Sequence, residues 1–226
     1  KLYYILAFGT LLCSQLCSSA SAAMASEEPY NSGIVIRWKD CKQRIDGFGI
    51  AQAGWAKELF AFKNREQVMD KMFGKDGLRL NILRGEIFPH YWENETDKDF
   101  NLNDDIHIEL SDSDFINKSD DLLRRGQLWL TLKAKNKYHI SKLVFSTWSA
   151  PAWMKSNGKV SNGRLKTECY TDFANYLAAF YNAYKSKGIA PYAISPSNEP
   201  GYAAPWNSSL WTADEMGKFI TSYLGP

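Results

Sequence analysis

"YTDFANYLAAFYNAYKSKGIAPYAISPSNEP", residues 170–200, holds one helix, one strand and the short connection between them. Phe173, Tyr176, Leu177, Phe180, Tyr181 and Tyr184 recur at the three- and four-residue spacing of an amphipathic helix, with Thr171 or Asp172 as its cap and Gly188 as its stop. Residues 192–195 then read as a β-strand, which ends abruptly on Asn198-Glu199-Pro200. A helix leading directly into an apolar strand is the repeating unit of an α/β protein.

The same unit recurs toward the N-terminus. "SKLVFSTWS" (141–149) is a strand, preceded by a predicted helix over 119–138 with Ser119 as cap and Leu122, Leu123, Leu130 and Leu132 on its apolar faces. "GLRLNILR" (77–84) is another compact strand. Before it, Leu59, Phe62, Val68, Met69, Met72 and Phe73 predict one helix over 56–73, stopped by Gly74. "GIVIRWKDCKQRIDGFGIAQ" (33–52) reads as two short strands with a break near 39–42, and Gly47 and Gly49 mark a bend or a close backbone approach. Beyond the opening stretch, "TADEMGKFITSYL" (212–224) begins another helix, capped by Thr212. Residues 85–118 form a long polar, acidic excursion, and 150–163 a turn-rich loop.

Strands alternating with crossover helices imply parallel pairing. "DGFGIAQ" (46–52) lacks the glycine spacing of a dinucleotide fingerprint. The expected fold class is therefore α/β, a (β/α)8 barrel of which about the first four βα units are present, rather than a doubly wound sheet.

Composition agrees with a globular protein: 45% hydrophobic and 14% aromatic residues, a net charge of +2, and eight tryptophans. Near-neutral charge without a basic run gives no reason to expect a nucleic-acid partner. Residues 1–22 read as a secretory signal peptide: Lys1, an apolar run, then Ala20-Ser21-Ala22 as an A-x-A exit. The other reading, a membrane anchor, requires a longer apolar run of ~20 residues, so no stable membrane insertion is expected after cleavage. Cys13 and Cys17 would leave with the signal; secretion permits a disulfide between Cys41 and Cys169 without requiring it. Asn94, Asn117 and Asn207 each open an N-x-[ST] sequon.

In a barrel, chemistry gathers where strands run into the following loops. Those positions are 51–55 with Trp55, Arg84-Gly85-Glu86, Trp148 with Trp153 beyond it, and Asn198-Glu199 with Tyr202 and Trp206 beyond. Indole faces stack on sugar C–H surfaces, while amides and carboxylates bind hydroxyls. Glu199, partly buried among aromatics, would be held protonated as a general acid. The alternative is a structural carboxylate capping the next helix. His90, His107 and His139 show no ligand spacing, and the acidic run 97–114 lacks the EF-hand pattern, so neither metal nor cofactor is expected.

"IDGFGIAQA" (45–53), "ILR" (82–84), "TWSAPAWMKSNG" (147–158) and "SPSNEPGY" (195–202) together resemble glycoside hydrolase family 30, over residues 45–226. The resemblance implies a β/α barrel beside a small β-sandwich, to which residues 23–44 would contribute a linker and strands, and a retaining two-glutamate mechanism. Glu199 matches the acid/base on strand four, and Asn198 the amide on the sugar's 2-hydroxyl. Arg84 matches the arginine of strand two, and Trp148 the indole lining the subsite. Trp153, Tyr202, Trp206 and Trp55 are candidate sugar platforms, each with plain packing as its alternative; Trp129 and Trp211 read as core.

The family's nucleophile lies on strand seven. After Glu199 this sequence offers only Asp214 and Glu215, both in the opening of a helix. The expectation is an N-terminal fragment, inactive and poorly soluble alone, of a secreted enzyme acting on a polysaccharide or glycoside. An endo-xylanase or β-1,6-galactanase is preferred. A glucosylceramidase and a non-catalytic carbohydrate-binding protein are the alternatives.

Overall fold

The computed structural model describes residues 37, 39–52, 55–91 and 126–226. The proposed signal, sandwich residues 33–36, Asn94, Asn117, His107, Ser119, Leu122, Leu123 and the acidic run lie outside the described residues. The chain divides into two compact units, residues 1–46 and 47–226. In the first, the described residues form an exposed turn: Asp40 N donates to the Arg37 carbonyl at 3.0 Å, and Lys42 pairs with Asp40 at 2.6 Å.

The second unit is built on four parallel strands: β1 (Gly49–Ala51), β2 (Ile82–Ile87), β3 (Lys142–Thr147) and β4 (Ala193–Ser195). They lie in the order β1-β2-β3-β4, each strand beside the next in sequence. A doubly wound sheet reverses its order partway across. A strictly sequential order is that of a β/α barrel opened out. Register pairs Ala51 with Arg84, Arg84 with Val144 and Val144 with Ala193. One face of the sheet thus presents Ala51, Arg84, Glu86, Val144, Ser146 and Ser195, while Leu83, Gly85, Ile87, Leu143 and Phe145 point to the helices.

Those helices are α1 (Ala56–Ala61), α2 (Arg65–Phe73), α3 (Gln127–Tyr138), α4 (Tyr170–Ser186) and α5 (Ala213–Phe219), the last running on through a wider turn at Ile220–Leu224. The apolar stripe of α4 meets β3: Phe145 lies 5.0 Å from Phe180 and 4.9 Å from Tyr184, edge to face, and Phe180 stacks on Tyr184 at 4.3 Å. All three rings, with Phe173 and Tyr176, are buried. At α5, Thr212 caps as expected. Glu215 N donates to Thr212 Oγ1 at 3.2 Å, and Thr212 N donates back to Glu215 Oε2 at 2.7 Å.

Several expected boundaries move. The single helix over 56–73 is two, α1 and α2. Phe62 leaves α1 in an extended conformation and is 51% exposed, and Asn64, a weak helix former, precedes α2. Both helices still face the core, so the apolar spacing persists across the break. Arg65 spans it, its guanidinium 4.8 Å from the Phe60 ring and 5.4 Å from Trp129. The strand expected over 77–84 begins later and ends later, because Leu78 N and Leu80 N donate to the Lys71 and Met72 carbonyls at the end of α2. Arg84 is therefore mid-strand, and Glu86 is still within β2. The expected strand pair over 33–52 reduces, among the described residues, to β1, where a Cβ on Gly49 would stand 2.6 Å from the Ile82 carbonyl oxygen. The helix α4 starts at Tyr170 behind a single 3₁₀ turn, with Cys169, not Thr171 or Asp172, at the cap position. Within the described residues α3 begins at Gln127 behind Gly126, whose φ is +78°.

Gly85 lets the Phe145 ring lie against β2: a Cβ there would meet ring carbons at 2.5 and 2.7 Å. Because Phe145 is locked by Phe180 and Tyr184, the G85A variant is expected to lose about 1–3 kcal/mol. Urea unfolding of the two proteins checks this.

Candidate active site

Arg84, within β2, and Trp148, Asn198 and Glu199, beyond the ends of β3 and β4, lie toward one end of the sheet. Arg84 Nη2 donates to Asn198 Oδ1 at 2.6 Å, while Asn198 N donates to the Thr147 carbonyl at 2.7 Å. The amide of Asn198 is thereby fixed from both β2 and β3, and its Nδ2 lies 3.4 Å from Glu199 Oε2. Glu199 adopts a φ of +42°, outside the right-handed helical region, and Tyr202 N closes a turn onto its carbonyl at 2.9 Å. The Trp148 indole N–H is buried without an acceptor.

Glu199 is exposed, which corrects the expectation that it is buried among aromatics. Neither does it cap the next helix, where Thr212 and Glu215 do so. The buried strand-end carboxyl is Glu86, 3% exposed, which the sequence placed correctly at a strand end but did not mark as buried. Burial is the larger influence and pushes its carboxyl up to about 7, against a hydrogen bond from the Asn207 side chain and the Arg84 charge.

The aromatic candidates separate into two pairs. Tyr202 and Trp206 are each 50% exposed, with ring centroids 6.2 Å apart. Trp55 and Trp153 are partly buried and packed against the core. Trp55 Nε1 donates to the Ala51 carbonyl at 2.5 Å, and the Trp153 carbonyl accepts from Lys166 Nζ at 2.9 Å. Trp211 is buried at the Tyr170–Phe219 cluster and Trp129 packs on the core, as expected. Glu215 is committed to its cap and to Arg164 at 2.6 Å, so it does not face the strand ends as a second catalytic carboxylate.

The loops after β3 and β4 are joined. Isolated bridges link Ser161 to Asn207 and Arg164 to Leu210. Lys155, 1% exposed, donates from Nζ to Ser149 Oγ at 3.0 Å and to the Ser208 carbonyl at 2.6 Å. Its burial lowers its pKa to about 8. The folded protein then binds this proton less tightly than the unfolded chain, so stability rises with pH between about 8 and 10.5. Thermal melts across that range are expected to show the rise in the wild type and its loss in K155M. Asn207 is half-buried and its backbone is bridged to Ser161, so its sequon is expected to carry no glycan. Glycopeptide mass spectrometry of protein made in a glycosylating host checks this.

A sequential parallel sheet with an amide–carboxylate pair at the end of its fourth strand defines a β/α-barrel of the glycoside hydrolase type. The chain belongs to glycosyl hydrolase family 30, whose TIM-barrel domain model matches residues 45–226. Among its curated relatives, "Putative glucosylceramidase 3" of Caenorhabditis elegans is 30% identical over 217 residues, covering 90% of this chain and 40% of that protein. "Glucuronoxylanase XynC" of Bacillus subtilis is 27% identical over 221 residues, covering 95% of this chain and 43% of that protein. Among solved structures, the catalytic domain of GH30 xylanase C from Talaromyces cellulolyticus superposes with a TM-score of 0.63 at 25% identity, over 79% of this chain and 42% of that one. The chain thus spans roughly two fifths of the length of the curated relatives it matches, and its four strands form a partial barrel.

Proposed function

We propose that this chain supplies the acid/base half of a retaining β-glycoside hydrolase, exported through its N-terminal segment and acting on a cell-wall-type polysaccharide. The observation that carries the reading is the Asn198–Glu199 pair at the end of β4, with Asn198 clamped by Arg84 at 2.6 Å. Glu199 protonates the glycosidic oxygen as the bond breaks, then takes a proton from the water that releases the sugar. Its exposure here is consistent with a cleft whose remaining wall is supplied by further strands. Asn198, with its oxygen held by Arg84, offers Nδ2 to the sugar's 2-hydroxyl. Trp148 floors the subsite of the cleaved sugar, and the exposed Tyr202–Trp206 pair offers ring faces to neighbouring residues of the chain.

Retention requires a second carboxylate about 5–5.5 Å from the first. Glu86 is buried within β2 and does not serve as that group. The nucleophile belongs to strand seven of a complete barrel, so the 226-residue chain is expected to be inactive alone. A form carrying eight strands is expected to cleave arabinoxylan or β-1,6-galactan. Hydrolysis by the 226-residue chain itself would overturn the division of labour between halves. The similarity to a putative glucosylceramidase favours a second reading, a lipid glycoside as substrate. Activity on glucosylceramide with none on either polysaccharide would select it. No helix among the described residues is long and apolar enough to cross a membrane.

A further inference from the structure

Lys155 is a buried amine that the proposed chemistry does not use. It stands in the loop after β3, where its backbone bridges to Leu165, and its Nζ crosses to the loop after β4. Both groups it bonds are neutral: Ser149 Oγ at 3.0 Å and the Ser208 carbonyl at 2.6 Å. An amine buried against neutral partners is costlier to desolvate than a methionine filling the same space. The two bonds are therefore what the lysine adds to this position.

The ends of the link differ. Ser149 is buried just beyond β3, its hydroxyl donating to the Ala150 carbonyl at 2.9 Å, and serves as the anchor. Ser208 is the hub of the β4 loop. Its N donates to the Val160 carbonyl at 3.0 Å, and its Oγ accepts from Asn162 N at 2.9 Å. The same hydroxyl faces the Ala204 and Trp206 carbonyls at 3.0 and 3.1 Å. The turn that carries Trp206 thus closes on Ser208, and Ser208 is held by Lys155. At the other end of that turn, Tyr202 N bonds the Glu199 carbonyl at 2.9 Å.

We propose that Lys155 is a positioning residue: by fixing Ser208 on Ser149 it sets where the exposed Tyr202–Trp206 pair stands, and that pair receives the sugar units on the leaving side of the cleaved bond. Glu199 gives its proton to the departing oxygen, so the departing part of the chain lies on the Glu199 side of the cleft. The two rings follow Glu199 in the same loop, their centroids 6.2 Å apart. The leaving-side role rests on the hydrolase reading; the seat itself does not.

The seat is tested by ¹⁹F NMR of the chain labelled with 5-fluorotryptophan, in the wild type, K155M and S149A, with the Trp206 line assigned through W206F. K155M keeps the bulk and loses the donor. Its Trp206 line is expected to move by more than its own width, while the lines of Trp55 and Trp129, which pack on the core, stay in place. S149A keeps the amine and removes only its anchor, and is expected to move the Trp206 line less, in the same direction. An unmoved Trp206 line in any folded variant, or a displacement shared with Trp55 and Trp129, overturns the seat. The leaving-side role is tested in the eight-stranded enzyme. There K155M is expected to lower kcat/KM on the polysaccharide about 10-fold more than on an aryl glycoside, which has no sugar on the leaving side. A merely structural defect lowers both alike, so equal losses overturn that role. An enzyme silent on every glycoside would end the hydrolase reading and leave the spectra to decide the seat.

Discussion

In the eight-stranded form of the enzyme, the E199Q variant is expected to lose about 10²–10⁴-fold in kcat on a polysaccharide, with little change in binding. Glutamine keeps the shape and the contact with Asn198 but has no proton to give the departing oxygen. The loss is therefore confined to the transition state, where the acid/base contributes roughly 3–5 kcal/mol. The loss should shrink on an aryl glycoside whose leaving group departs without protonation, provided glycosylation limits the rate. Substrate docking, followed by calorimetry with an oligosaccharide, should persist. Unimpaired turnover would remove Glu199 from the chemistry and with it the proposed function.

The second large effect is on folding, at Gln127. Its Oε1 accepts from Glu86 N at 2.8 Å, and its Nε2 donates to the Glu86 carbonyl at 2.8 Å and to Tyr184 Oη at 2.9 Å. The strand β1 stops at Ala51, and its last partner bond on this side runs from Gln52 N to the Arg84 carbonyl at 2.8 Å. Beyond that point no described strand edge pairs with β2, and the side-chain amide of α3 bonds it instead. The site is fully buried, Gln127 being 1% exposed. The Q127L variant would orphan a backbone N–H, a backbone carbonyl and the tyrosine hydroxyl's donor, and is expected to cost about 3–5 kcal/mol. Chemical denaturation measures it, and a loss under ~1 kcal/mol would show that water replaces the amide.

The parts of this fold legible in the sequence are those where one strong local signal acts alone. The aromatic stripe of α4, the strand β3 and the Thr212 cap of α5 are of this kind. Where two signals compete, the reading slipped. Leu78 and Leu80 look like strand residues, yet their backbone bonds close the end of α2. The break at Phe62–Asn64 is hidden because both flanking helices turn apolar residues to the same core. For the site, the Asn198–Glu199 pair announced itself by ending an apolar strand at a proline. Gln127 and the burial of Glu86 could not be read in this way, because each depends on parts of the chain far off in sequence: Gln127 on the shortness of β1, Glu86 on what packs over its face of β2. The exposure of Glu199 has the same origin, since burial of a strand-end group depends on what stands across the cleft.

The loops that follow β3 and β4 are stitched together through the Lys155 amine, the Ser161–Asn207 bridge and the Arg164–Leu210 bridge. Neither is a separable part. An attempt to transplant the sugar preference of a relative by exchanging one of them would sever all three stitches at once. The smallest portable cassette spans both, 149–165 together with 199–211, and natural divergence in this family should meet the same constraint, with changes in one loop answered by changes in the other.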